Sequence, residues 1–491
     1  MKKKIFVLLM ISFVLINSIA TFADDFSYTY TYDFWHDVQF SPNAYEAESI
    51  LLGENLDIGE FNNPQGLNTT GNIAVIADTG NNRIVLVDCT DNSYELVEIV
   101  DKAILDGAET TFNAPTDAFL MENGDLYVCD TNNERILHLD SEKKVIKKIE
   151  RPTDNSYEAS HGFMVQKIAV HPTNGTIYVQ AKNVNKGIIE FDQEGKFVGY
   201  VGASKVTPNM YEYMWKKISS AAQREQMQSF VPTEYNNVSL DSEHFIYVTS
   251  ATFDASEFTS FDMVRRLNMM GNDILIRNGE SKPCGDLYYD NTGDINGPSR
   301  FVDVVAFEND TYYCLDKVRG RIFAYDYQGH LLYAFGGVGN SIGTFTSGFS
   351  VALDKVEDNS LLALDSSKAV ITRFNITPYG QLINDALGKY KEGDYDESAA
   401  IWEEVIRLNG NYDLGYIGIG RALLRKGEYK EAMEYFKLKH DTTNYSKAFL
   451  QYRKEAMEDI VPKLLPFVVA AILIPMIVKR VNKVRKEIAE A

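Results

Sequence analysis

The chain has 491 residues, 45% of them hydrophobic and 24% charged, a balance typical of folded material with room for two or three domains rather than of a disordered chain. Its formal net charge is −21, and basic residues gather at the two ends, so the middle is more acidic than the whole. That surface argues against nucleic acid as a partner and against flat adhesion to anionic lipid, while divalent cations and basic partners stay open.

The opening MKKKIFVLLMISFVLINSIATFADD has Lys2, Lys3 and Lys4, an apolar run from Ile5 to Ile16, and small residues at Ala20 and Ala23. This is the three-part pattern of a secretory signal over residues 1–23, cleaved after Ala23 or Ala20. Residues 24–44 alternate Tyr and Thr and then bring Phe34 and Trp35. Period-two alternation predicts an extended segment packed along the next domain, and aromatics at this density could also stack on sugars.

From Pro64 the chain repeats itself. PQGLNTTGNIAVIADTGNNRIVLVD, residues 64–88, reads as strand, Gly/Asn turn, strand ending in Asp78, polar loop and a third strand from Arg83. Copies follow at 115–140 and 165–192 and start again near Asn236, Phe301 and Phe349. Six units that cannot bury their own faces imply a ring of sheets. The last copy offers only three strands, and Ser49 to Leu52 matches the outer strand of the fifth, so the N-terminal stretch is expected to donate the missing strand and close the ring. The fold class is therefore mainly β, a six-bladed β-propeller over residues 45–377.

The runs NIAVIADTGNNRI and DLYVCDTNNERI resemble the NHL repeat, a strand followed by Asp, an Asn-rich loop and Arg. Asp and Arg stand five apart at Asp78 and Arg83, Asp130 and Arg135, and Asp316 and Arg321, which predicts a charge-assisted bond pinning each loop to the next strand. Copies four and six depart: Arg265 is displaced, and Val370 stands where Arg is expected. Of the four cysteines, Cys89, Cys129, Cys284 and Cys314, none forms a CxxC. Cys129 and Cys314 are read as one repeat position, filled by Ala77 in the first copy, and as small buried side chains rather than metal ligands.

Between copies three and four, residues 203–234 are too long for a turn, and Met210, Met214, Trp215, Ile218, Ala221 and Ala222 recur at helical spacing, predicting helix from Asn209 to Phe230. This insert and the lengthened loop 250–262 fall on the face where the innermost strands begin, and long loops on a rigid scaffold are where binding usually resides. The same face carries the strand starts Gly66, Asp117, Lys167, Asn237, Asp303 and Ser350, expected around the mouth of the central channel, with His161 in a nearby link. Asp117, Asn237 and Asp303 are oxygen donors of the kind Ca²⁺ prefers, whereas Lys167 would repel a cation and could neutralise an aspartate. A self-satisfied polar ring with water is the competing reading. Six-bladed propellers similar to this one include sugar lactonases, whose metal ring is broken here by Gly66, Lys167 and Ser350, and a lyase of amidated peptide precursors that needs histidine-bound zinc. The histidine placement favours neither.

Residues 378–458 turn helical. Gly393 and Gly427, Tyr395 and Tyr429, and Trp402 and Phe436 share an offset of 34, which resembles the tetratricopeptide repeat, although Ser398 and Gly410 depart from it. A further helix is expected from Tyr445 to Glu458. Residues 460–478 then read as a single membrane span, with Pro462, Pro466 and Pro475 tolerated, and 479–491 as a basic cytoplasmic tail. The bulk of the chain is thus expected outside the cell membrane. The resulting expectation is a membrane-anchored, extracytoplasmic binding or assembly protein with a membrane or exported protein partner, a carbohydrate ligand or a link to a transport system. The alternative is a metal-dependent hydrolase or lyase working at the central channel.

Overall fold

The computed structural model describes residues 28–157, 162–202, 234–250, 262–279, 281–286 and 298–490. The signal-like leader, His161, nearly all of the 203–234 insert with its expected helix, and most of the 250–262 loop lie outside the described residues. The chain divides into two compact units, one whose main body is Val38–Gln381 and one made of Asp33–Asp37 and the chain from Leu382 onward.

The first unit is a ring of six antiparallel sheets. Blade one comprises Gly66–Thr70, Ile73–Asp78, Arg83–Asp88 and Glu95–Val100; blade two comprises Asp117–Leu120, Leu126–Asp130, Arg135–Leu139 and Val145–Glu150. Blade three comprises Val165–Val170, Ile177–Ala181, Ile188–Phe191 and Phe197–Val201; the described strands of blade four are Tyr235–Leu240, Ile246–Ser250 and Val264–Leu267. Blade five comprises Phe301–Ala306, Tyr312–Asp316, Arg321–Tyr325 and Leu331–Gly336. Blade six has Ser350–Lys355, Leu361–Asp365 and Val370–Ile376, and its outer strand is Tyr45–Leu51, paired to the third strand from Ile371↔Leu51 to Ile376↔Tyr45. The expected N-terminal closure is therefore present, and it supplies the last sheet with its fourth strand. A hairpin of Tyr30–Tyr32 and Val38–Phe40 adds two further strands to the sheet of blade five.

The core lies in the seams between blades, because alternate residues of a strand face opposite neighbours. Ala77 and Val75 pack with Ala118, Leu126 and Val128 between blades one and two, and Cys129 and Ile136 pack with Val165 and Ile177 between two and three. The register corrects one expectation. Cys129 pairs with Asp117 and Cys314 with Val304, one step out of phase. Cys314 therefore faces back towards Tyr247 and Val264 of blade four, and its repeat position is not that of Cys129. All four cysteines are buried free thiols.

The second unit is helical. Helices α1 Pro378–Glu392, α2 Tyr395–Leu408, α3 Asp413–Lys426 and α4 Tyr429–Leu438 are followed by α5 Thr442–Glu490. The residues at the 34-residue offset act alike: Tyr395 and Tyr429 open helices, and Gly393 and Gly427 take left-handed φ of 88° and 87° at the preceding helix ends. Trp402 and Phe436 are buried against glycines of α3, where a Cβ on Gly418 would fall 2.4 Å from Trp402 Nε1 and one on Gly420 2.8 Å from Phe436 Cε1. The final helix and the span, expected as separate pieces, form one helix of 49 residues that runs through Pro462, Pro466 and Pro475. It is long and apolar enough to cross a membrane, and none of its most apolar stretch is buried inside the chain.

Candidate functional site

The innermost strands place one side chain each at matched register: Gly66↔Ala77, Asp117↔Cys129, Lys167↔Gln180, Asn237↔Thr249 and Asp303↔Leu315. In blade six the matching pair is Ala352↔Leu364, because the register shifts after Ser350↔Asp365. Ser350 is thus the counterpart of Phe301, and the position assigned to it belongs to Ala352. Four polar side chains, from blades two to five, line the ring, and the other two positions carry none. Gly66 is required by close approach: a Cβ there would lie 2.5 Å from Thr116 O and 2.6 Å from Asp117 Oδ1.

The polar side chains are paired with one another and with backbone. Asp117 accepts from Asn68 Nδ2 at 2.8 Å and, through its other oxygen, from the Ile168 amide at 3.0 Å, with Lys167 Nζ 3.9 Å away. Lys167 also donates to Gln65 O at 3.3 Å. Asp303 accepts from the Asn237 side-chain amide and the Val304 amide on one oxygen, and from the Leu353 amide at 2.7 Å on the other. Asp354, two residues beyond the ring position of blade six, accepts from the Thr69 amide at 2.7 Å. Three carboxylates of the innermost strands therefore each hold a backbone amide of the next blade, at seams two to three, five to six and six to one. Asn68 joins seam one to two through Asp117 and Ala118 O.

Burial raises all three carboxyls: Asp117 and Asp354 to about 6 and Asp303 to about 7. The Lys167 charge and the amides of the following blade pull Asp117 and Asp303 back down, while the Asp354 charge pushes Asp303 up. A cation at Asp117, Asn237 and Asp303 would have to displace these bonds. Among the described residues no group of three His, Cys, Asp or Glu is set to hold a metal ion.

A second constellation sits where the second strand ends on the same face. Asp78 accepts from the Asn62 amide at 2.7 Å and pairs with Arg83 Nε at 2.7 Å; Asp130 accepts from the Asn113 amide at 2.7 Å and pairs with Arg135 Nε at 2.7 Å. Each Asp thus latches the incoming link to the loop and the third strand. The expected third pair, Asp316 with Arg321, does not form as an ion pair. Asp316 still holds the Arg300 amide at 2.8 Å, but Arg321 and Arg319 turn to the buried Asp286, at 3.9 and 3.4 Å. Asp286 also accepts from Tyr30 and Tyr32 hydroxyls at 2.5 and 2.7 Å, and Arg321 lies over the rings of Tyr28 and Tyr30. The N-terminal strand has captured the arginine. In blade six Asp365 holds the Thr346 amide at 2.6 Å, and Lys368, in place of the missing Arg, reaches Gly339 O and Thr344 O at 2.6 and 3.0 Å.

Blades three and four lack the latch. Register puts Ala181 and Ser250 at the Asp position. These are the blades that carry the 203–233 link and the long 251–261 loop in the sequence.

No protein-family model matches the sequence, and no curated protein matches it. Solved structures do. A streptogramin B lyase is 12% identical with a TM-score of 0.37, the match covering 65% of this chain and 97% of that one. The extracellular domain of a hybrid two-component system from B. thetaiotaomicron is 10% identical with a TM-score of 0.36, over 72% of this chain and 40% of that one. The WD40 propeller domain of Doa1 is 7% identical with a TM-score of 0.39, over 68% of this chain and 98% of that one. These are likenesses of fold alone.

Proposed function

We propose that this is a membrane-anchored, extracytoplasmic binding or assembly protein, an NHL-type propeller on tetratricopeptide-like helices that engages a membrane or exported protein partner. The observation that carries the reading is the apolar stretch of α5, unburied in the chain and followed by Lys479, Arg480, Lys483, Arg485 and Lys486. An apolar helix of this length left in water would aggregate, and in a bilayer it is satisfied, with the basic cluster on the cytoplasmic side. Binding rather than catalysis at the channel is supported by Asp117 and Asp303, whose oxygens are all engaged in joining blades. The partner-facing surface is assigned to the insert-bearing face at blades three and four, where the aspartate latch is missing. A link to carbohydrate transport rests on the family resemblance.

Membrane fractionation with protease shaving of intact cells tests the topology: the propeller should be digested from outside and the tail protected. In-cell crosslinking, gentle solubilisation and capture of the full-length protein, beside a version lacking Tyr379 to Glu458 but keeping the anchor, tests assembly. A specific membrane or exported partner supports the reading, and its loss on deletion assigns the contact to the helices. A protease-resistant propeller, or no partner in either form, contradicts it.

A further inference from the structure

The seam between blades three and four leaves polar groups unpaired. Three buried polar atoms face it with no hydrogen-bond partner among the described residues: Gln180 Oε1, Ser250 Oγ and Arg265 Nε. Strand alternation puts them in one seam. Gln180 lies on the same side of its strand as Tyr178, and Ser250 on the same side as Val248 and Ile246, and all three of those apolar side chains belong to the cluster that packs blade three on blade four. Arg265 pairs in register with Val248 and contacts Tyr235 Oη at 3.3 Å, and Tyr235 is itself the register partner of Ser250. Gln180 and Ser250 are each only 4% exposed, so leaving them without partners is costly.

The chemistry of the vacancy follows from the repeat. In blades one and two the position of Ser250 is an aspartate whose Oδ2 receives an arginine Nε at 2.7 Å. In blade four the carboxylate has been replaced by a hydroxyl, and a guanidinium remains two residues along the third strand on the seam side. Arg265 has no carboxylate partner among the described residues, unlike Arg83, Arg135, Arg266, Arg277 and Arg373. We propose that the upper end of this seam is a subsite for the carboxylate of a small acid, taken by Arg265 with the Ser250 hydroxyl. A carboxylate accepts from both donors and neutralises the guanidinium, as Asp78 does for Arg83, and a neutral polyol does not neutralise it. Nothing in this inference depends on the helical unit or the anchor.

The test is thermal unfolding and titration calorimetry of the full-length protein in detergent, with sodium acetate and sodium galacturonate as carboxylate probes, and galactose and sodium chloride as controls. Both acids should raise the Tm and the controls should not. A response to galacturonate alone identifies the source as a sugar acid, and equal responses identify a simple carboxylate. Arg265→Gln should weaken binding at least tenfold. Ser250→Asp should supply the carboxylate from within, raising the Tm of the unliganded protein and abolishing the response to either acid, which keeps the proposal falsifiable where Arg265→Gln fails to fold. No response to either acid, a response that survives in both variants, or a Ser250→Asp chain less stable than its parent would overturn it.

Discussion

Blades one and two, set beside blades three and four, show how one repeat supports two uses. The first pair carries Asp78 and Asp130, each buried, each holding the amide of the incoming link and the arginine of the next strand. The second pair has Ala181 and Ser250 at those places, and in blade four the seam-facing arginine is left without an acid among the described residues. The same hydrophobic alternation builds all four sheets, so the fold does not need the latch in every blade. What the latch adds is a fixed entry for the link. Releasing that constraint is compatible with long links on this face, and it leaves buried donors at Ser250 and Arg265 unpaired.

The comparison can be broken by substitution. Asp130→Ala removes one member of a buried ion pair and strands Arg135, the Asn113 amide and the Asn133 side chain, and is expected to cost about 3–5 kcal/mol in denaturant unfolding of the full-length protein. Ser250→Ala, at the same register position, removes a buried hydroxyl that has no partner and should not destabilise the protein. Equal losses would remove the distinction between the two halves. Asp303→Ala leaves the Leu353 amide and the Asn237 side chain unpaired at the ring, and a loss of about 2–3 kcal/mol is expected.

The ring also predicts a pH dependence. Asp117, Asp303 and Asp354 have their carboxyls raised by burial from an ordinary 3.8 to about 6, 7 and 6, so folding favours their protonated forms. Their contribution is complete below about pH 4 and is lost as the pH rises through 6 to 7. Moving from pH 5 to pH 8 should therefore lower the Tm by a few degrees, of order 2–4 °C per kcal/mol lost, and Asp303→Asn should shrink that change. A Tm that climbs over this interval in both proteins would contradict the assignment. Among the aspartates, the smallest effect is expected at Asp316→Asn. This carboxyl is raised to about 6 by burial and its arginine is engaged by Asp286, so the neutral amide should cost less than about 1 kcal/mol, against a clear loss for Asp130→Asn.

Much of the architecture was legible because it depends on patterns that repeat. Strand alternation, the Asp and Arg spacing and the match between Ser49–Leu52 and the fifth outer strand were enough to place the six blades and the closure. The failures have local causes. A register bulge in the innermost strand shifted Ser350 away from Ala352, and a bulge leaves no signature in residue spacing; Cys314 was misplaced for a plainer reason, standing two residues before Asp316 where Cys129 stands one before Asp130. Arg321 was assigned to Asp316 by spacing, whereas its partner Asp286 lies 35 residues upstream and is organised by tyrosines from the N-terminal strand. Asp354 carried a usable signal, an acid two residues past the ring position on an innermost strand. The Gln180, Ser250 and Arg265 grouping carried a weaker one, since Ser in the Asp column becomes visible only after the register is known.

The most direct test of the binding account is site-specific photo-crosslinking in intact cells. A photoreactive residue at Lys182, exposed beside the unlatched end of blade three, is compared with one at Ser367, exposed on the latched loop of blade six. The account predicts crosslinks from Lys182 to a membrane or exported protein, and few or none from Ser367. Crosslinks confined to Ser367, or equal from both positions, would contradict the assignment of the binding face to blades three and four.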